Sequence, residues 1–397
     1  MRRTGRLLAV PALLGSLGAA LVAAPAAAPA HAAEKPAVQV VAAEGSSITA
    51  EAQRIVAAMD VGARARSVVM GHIPTTDASA LGDYMASGLG GFILMGSNVP
   101  ASATDLRAVT AALVRDPAMP PLIAVDEEGG DVTRLPWDGL PAGSALAAGP
   151  SSAAEAAFAG RGALVAAGGA SVNFGVVADV ATGPASFIFS RALGTTADDA
   201  AARVAAAVRG EAPFAMSTLK HFPGHGAAEG DSHRVIPATP MSMTEWRRTT
   251  APPFAAGVDA GADLVMFGHL AYTAVDRVPA SLSPVWHRIL RDELGFDGVS
   301  VTDDLGMLVS SGDPAYADPV GNAVAAIAAG SDMVLMVVGS DASTAGRMAE
   351  GIAAAVKDGR IPGDRLTEAA ERVMALRLQI AAAAPTWRPC PECTPAG

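Results

Sequence analysis

The stretch TADDAAARVAAAVRGEAPFAMSTLKHFPGHGAAEGDSHR, residues 196–234, decides how the chain is read. Its first part, Thr196–Arg209, is rich in alanine, the best helix former. Phe214–His221 is a short apolar run of strand length. The run then breaks on Pro223, Gly224 and Gly226, residues that end regular structure. Helix, strand and polar loop form one unit of an alternating α/β chain, and here the loop carries the unusual charged residues.

Working outward, the same unit recurs. Strand candidates are Arg66–Met70, Gly91–Met95, Leu122–Asp126, Ser171–Asp179, Phe214–His221, Asp263–His269, Gly298–Asp304 and Met333–Val338. Between them lie helical segments such as Ala153–Ala167 and Asn322–Ala329, and Arg365–Ala382 predicts a final helix. Alternating strands and helices imply a parallel sheet, and eight strands suggest closure into a single (β/α)8 barrel of the TIM type. An open doubly wound sheet is the alternative. No G-x-G-x-x-G follows the first strand, which weakens a dinucleotide-binding reading. We place the catalytic barrel at residues 51–384, after a loose lead-in at 33–50 and before a proline-rich tail at 385–397. No second C-terminal domain is expected.

Composition narrows the class. With 397 residues, 51% hydrophobic and 17% charged, the chain is too apolar to be disordered. Its mean hydropathy is +0.34. A formal charge of −11 disfavours binding to nucleic acid phosphates, which takes basic patches. Arg2, Arg3 and Arg6 precede an apolar run from Leu7 to about Val22, and Ala30-His31-Ala32 offers an A-x-A cleavage site. This pattern predicts a secretory signal peptide over residues 1–32 and a secreted or cell-wall-associated product. An uncleaved membrane anchor is the alternative, opposed by Pro11 and the small residues closing the run. Cleavage removes three basic residues and no acids, taking the formal charge to −14. The two cysteines, Cys390 and Cys393, fall in the tail, so the body of the fold has no disulfide framework. They could close a small loop under oxidising conditions or have no role.

In a barrel, catalytic groups sit at the carboxyl ends of strands. The third strand ends in Asp126-Glu127-Glu128-Gly129-Gly130, followed by Arg134. The fifth runs into Lys220-His221-Phe222-Pro223-Gly224-His225-Gly226 and then Asp231-Ser232-His233. The sixth ends in His269 and the seventh in Thr302-Asp303-Asp304. Neighbouring strand residues point to opposite faces, so only one of Asp303 and Asp304 faces the mouth, where it could act as a nucleophile. Asp231 and His233, two apart in an extended loop, can meet. An aspartate that orients a histidine makes an acid/base suited to neutral pH. Asp126, Arg134 and Lys220 suit gripping hydroxyl groups. A zinc site is the competing reading of His221-x3-His225 with Asp231 and His233, but Pro223 and Gly224 oppose the helix that would align the first pair.

Lys220-His221-Phe222-Pro223-Gly224-His225-Gly226 with Asp231-Ser232-His233 resembles the signature of the bacterial β-N-acetylhexosaminidases of glycoside hydrolase family 3. Asp126-x-Glu128-Gly129-Gly130-x-Val132-x-Arg134, Ser190-Arg191-Ala192-Leu193-Gly194 and Val301-Thr302-Asp303-Asp304-Leu305-Gly306-Met307 extend the resemblance over about Ile55–Ile380. It implies that Asp303 is the nucleophile, that His233 is the acid/base held by Asp231, and that Asp126, Arg134, Arg191, Lys220 and His221 contact the terminal sugar. Two positions depart from the family pattern: Ala227 where an aspartate is common and Asp131 where an arginine is common.

The resemblance implies retaining hydrolysis of terminal β-linked N-acetylglucosamine by double displacement, and the expected export suggests peptidoglycan fragments or chitooligosaccharides as substrates. Scarce tryptophan and tyrosine speak against a long aromatic platform, and so for an exo-acting pocket. Phosphorolysis, a related β-glycosidase activity and a catalytically inactive sugar-binding protein are the alternatives. The expected partner is a small oligosaccharide, with no nucleic acid, no membrane insertion after leader cleavage, no metal, no cofactor, and the chain as a monomer.

Overall fold

The computed structural model describes residues 37–181 and 183–383. The expected leader at 1–32, the tail at 385–397 and its two cysteines lie outside the described residues. Contacts divide the chain into Met1–Ala43 and a compact unit, Glu44–Gly397, that carries the barrel. Ala37–Ala57 is helical, which corrects the loose lead-in expected over 33–50. Its alanines favour helix, and Arg54 is bonded to Glu51 one turn away.

Eight parallel strands form one sheet. They are β1 (Val69–Gly71), β2 (Gly91–Leu94), β3 (Leu122–Val125), β4 (Val172–Val177), β5 (Met216–Phe222), β6 (Leu264–Phe267), β7 (Val299–Thr302) and β8 (Val334–Leu335). The order around the sheet is β8-β1-β2-β3-β4-β5-β6-β7. The ring closes through the parallel bridge between Val301 and Met333, where the Thr302 N–H donates to the Met333 carbonyl at 3.1 Å. This is the barrel that the alternation predicts. Two boundaries shift by three residues: the last strand ends at Leu335 rather than Val338, and the first begins at Val69 rather than Arg66. Asp60 accepts the Ala63 N–H and starts a helix, Val61–Ser67, that takes in Arg66 and Ser67.

Alternation within the strands builds two layers. Leu122 and Ala124 of β3, Leu264 and Met266 of β6, and Val299 and Val301 of β7 fill the barrel interior with Met70, Ile93, Phe174 and Leu335. Val373, Leu376 and Ile380 of the final helix, Gly363–Ala383, belong to the same cluster. The opposite strand faces, Ile123 and Val125 on one side and Val265 and Phe267 on the other, pack against the surrounding helices. That parity carries each strand's last residues either into the mouth or away from it.

The turn after β5 is pinned from outside. Trp246 Nε1 donates to the Pro223 carbonyl at 2.8 Å and the Tyr272 hydroxyl donates to the Gly224 carbonyl at 2.7 Å. A two-residue ladder, Ala238–Thr239 with Ala271–Tyr272, ties the loops after β5 and β6 together.

Candidate active site

On β3 the inward parity of Leu122 and Ala124 extends to Asp126 and Glu128, and leaves Glu127 outside the barrel. Gly129 and Gly130 then adopt φ of 84° and 65°, a left-handed conformation that side chains resist. A Cβ on Gly129 would stand 2.2 Å from the Arg161 guanidinium. The tight turn lets the Glu128 and Gly129 N–H groups both donate to the Val132 carbonyl. Behind it, Glu127 Oε2 accepts the Arg134 and Leu135 N–H groups at 2.9 and 2.8 Å. Arg134 is thereby held at the mouth, with its Nε buried and unpartnered.

β5 breaks the parity rule. Its pairing with β6 shifts register between Leu219 and Phe222, so Lys220 and His221 both line the mouth although they are adjacent. Lys220 Nζ lies 2.7 Å from Asp126 Oδ1 and 2.6 Å from Glu128 Oε1. Arg191 grips Glu128 with both arms, at 2.7 and 2.6 Å. It also donates to His221 Nε2 at 3.3 Å. Arginine has no acceptor, so the His221 ring proton sits on Nδ1 and is donated to Asp179 Oδ2 at 2.7 Å.

The charges sort themselves by neighbour. Burial raises the Glu128 carboxyl, but Lys220 and Arg191 outweigh it and hold it at about 2. Burial lowers the Lys220 ammonium, yet Asp126 and Glu128 leave it above its ordinary value. Burial raises the Asp303 carboxyl as well, but His221, His269, the Asp304 N–H and Lys220 outweigh it and hold it below the carboxylate range. Burial takes His225 down to about 4. A cationic bed therefore faces an ionised Asp303.

Asp303 and Asp304 part company here. Asp303 follows Val299 and Val301 inward and accepts the Asp304 N–H at 2.8 Å. The Asp304 carboxyl instead accepts the N–H groups of Gly306, Val337 and Val338, each at 2.8 Å, and caps the next helix. Burial raises it to about 6. The alternation alone left this choice open; three backbone donors consume Asp304.

In the loop after β5, His233 Nδ1 meets Asp231 Oδ1 at 2.7 Å, the contact that their spacing predicts. The His233 side chain is half exposed. His233, Asp303, Asp126, Arg134, Arg191, Lys220 and His221 line one cavity of about 260 Å³. Asp231 acts on it through His233. Two further residues join the site without having been assigned a role from sequence. Glu128 anchors Lys220 and Arg191, and its i, i+2 relation to Asp126 was the available signal. Asp179, the last residue of the fourth strand candidate, is fully buried and holds both the His221 ring and the His225 N–H. His269 sits behind Asp303, bonded to Ser281 and to the Asp304 carbonyl. The His221 and His225 rings meet edge to face with centroids 5.9 Å apart, but among the described residues no group of three or more His, Cys, Asp or Glu side chains is arranged for a metal ion. The two departures are accommodated: Asp131 accepts the Ser190 hydroxyl beside Arg191, and Ala227 closes a 3-10 turn. A carboxylate, a carboxylate-bound imidazole and a set of fixed cations around one small cavity can bind a polyhydroxylated ring and displace a group from it.

Residues 69–376 match the glycosyl hydrolase family 3 N terminal domain. Over 256 residues, 62% of this chain and 75% of the relative, the sequence is 38% identical to a β-hexosaminidase of Pseudomonas aeruginosa (strain LESB58). A β-hexosaminidase of Methylococcus capsulatus is 35% identical over 255 residues, again 62% and 75% of the two chains. Among solved structures, a family 3 β-N-acetylglucosaminidase from Paenibacillus sp. str. FPU-7 superposes with a TM-score of 0.76 at 32% identity, covering 82% of this chain and 64% of that one. A β-N-acetylhexosaminidase from Beutenbergia cavernae gives 0.70 at 30% identity, covering 80% and 98%.

Proposed function

The chain belongs to glycoside hydrolase family 3, and on that premise we propose that it is an exo-acting, retaining β-N-acetylhexosaminidase. The observation that carries the reading is the Asp231–His233 pair, whose imidazole lines the same cavity as the ionised Asp303. In this reading His233 gives its Nε2 proton to the glycosidic oxygen while Asp303 attacks the anomeric carbon. The C–O bond to the leaving group breaks as the bond to the Asp303 carboxylate forms. Water then gives its proton back to His233 and its oxygen to the anomeric carbon, freeing Asp303 and keeping the β configuration. Lys220 and Arg134 hold the sugar hydroxyls, with Asp126, Arg191 and His221. The resemblance to the family 3 β-N-acetylglucosaminidase from Paenibacillus supports N-acetylglucosamine as the terminal sugar. The small cavity favours a chain end over an internal stretch. The leader-like pattern of residues 1–32 supports export, and so substrates outside the membrane: peptidoglycan fragments or chitooligosaccharides.

The test is nitrophenol release from aryl β-N-acetylglucosaminide and from the matching β-glucoside, by wild type and Asp303→Ala, with and without phosphate. Turnover restricted to the acetamido sugar, independent of phosphate and lost in the variant is the expected result. Full activity in Asp303→Ala would sink the mechanism. A rate that depends on phosphate and yields sugar 1-phosphate would make the protein a phosphorylase.

A further inference from the structure

Among the described residues the exposed large apolar side chains are Phe187 (37%), Val235 (47%) and Val338 (48%). One lines the active-site cavity, and one packs on two histidines that do. Val338 lines the cavity, and Val235 stands two residues beyond His233. Phe187 meets the His233 ring edge to face, with centroids 5.7 Å apart and planes at 66°, and lies 5.5 Å from His225. Its sequence neighbours Ile188 and Phe189 turn inward to a small apolar cluster, whereas Phe187 stays outside. The Arg191 guanidinium stands 6.0 Å from its ring centroid and backs it from within the site. Apolar side chains gathered at the rim of a polar cavity point to a ligand surface, since isolated exposure elsewhere would not concentrate there.

We propose that Phe187 is the platform for the leaving group: the pyranose ring linked through the scissile oxygen stacks on it while His233 delivers the proton. This rests on His233 acting as the acid. The proton donor lies beside the glycosidic oxygen, so whatever packs on the outer side of its ring faces the departing sugar. A pyranose presents a C–H face that suits an aromatic ring. One phenylalanine provides one such subsite, matched to a cyclic sugar rather than to a peptide or an acyl chain.

The experiment compares kcat/KM of wild type, Phe187→Ala and Phe187→Trp on three substrates. These are a β-linked N-acetylglucosamine disaccharide, methyl β-N-acetylglucosaminide and β-N-acetylglucosaminyl fluoride, whose leaving group needs no proton. Phe187→Ala is expected to lose about tenfold on the disaccharide and to stay within about twofold on the other two, with Phe187→Trp restoring the disaccharide. Equal losses on disaccharide and methyl glycoside with the fluoride spared would mean that Phe187 acts only by positioning His233. Equal losses on all three, or none, would also overturn the platform. If wild type turns over none of the three, the proposed activity itself falls, and this inference with it.

Discussion

The two ends of the barrel each hold a cluster of buried charges, and the difference between them shows what marks a site. At the base, Asp332 is fully buried among Arg291 (2.5 Å), Arg365 (2.5 Å) and Arg372 (3.2 Å). Its Oδ2 also accepts the Ser300 N–H at 2.9 Å, and Arg291 donates to the Phe296 and Gly298 carbonyls. These bonds tie the start of β7 to the segment before β8 and to the final helix. A cavity of about 500 Å³, roughly twice the volume of the mouth, opens beside them at Asp263, Gly298 and Arg372. Size therefore does not identify the functional end. At the base the charges are spent on backbone and on one another. At the mouth Asp303 lines the cavity, and a half-exposed imidazole stands over it.

The contrast can be broken by paired substitutions. Asp303→Ala should cost on the order of 10⁴-fold or more in kcat, as for loss of a nucleophile, while the protein still melts cooperatively. Asp332→Ala should do the reverse. It leaves three arginines without their buried partner, a loss of about 3–5 kcal/mol by denaturant titration. The protein that remains folded should keep its kcat. A turnover defect in folded Asp332→Ala would mean that the base takes part in catalysis after all.

His233→Ala sharpens the same comparison. General acid catalysis is worth about 10²–10⁴-fold, so the variant should lose that much on a sugar leaving group and far less on a dinitrophenyl glycoside. Equal losses on both would remove His233 from the acid role.

The smallest effect concerns the support behind the mouth. Burial raises the Glu127 carboxyl to about 8. A raised folded pKa contributes stability that is complete below the ordinary carboxylate value, near 4.5, and is lost as pH climbs through 8. Wild-type Tm should thus fall over that window through this group. Glu127→Gln, which can still accept the Arg134 and Leu135 N–H groups, should flatten the fall. An unchanged slope in the variant would assign the pH dependence elsewhere.

Much of this was readable in the chain itself. Periodicity and alanine-rich spacers located every barrel strand, because strand and helix differ locally in which residues they favour. The i, i+2 spacing of Asp231 and His233 contained their contact, and the carboxyl ends of the strands contained the site. Tertiary structure decided the rest. Alternation fixes that Asp303 and Asp304 diverge but not which faces inward; that took the packing of Val299 and Val301 and the three N–H groups that claim Asp304. The register shift on β5, which brings Lys220 and His221 to one mouth, depends on pairing with β6. Asp179 and Glu128 acquire their partners only when β3, β4 and β5 lie side by side. Local sequence determines conformational preference and parity. Which carboxylate is spent on backbone and which is left facing the cavity is settled by partners far away in the chain.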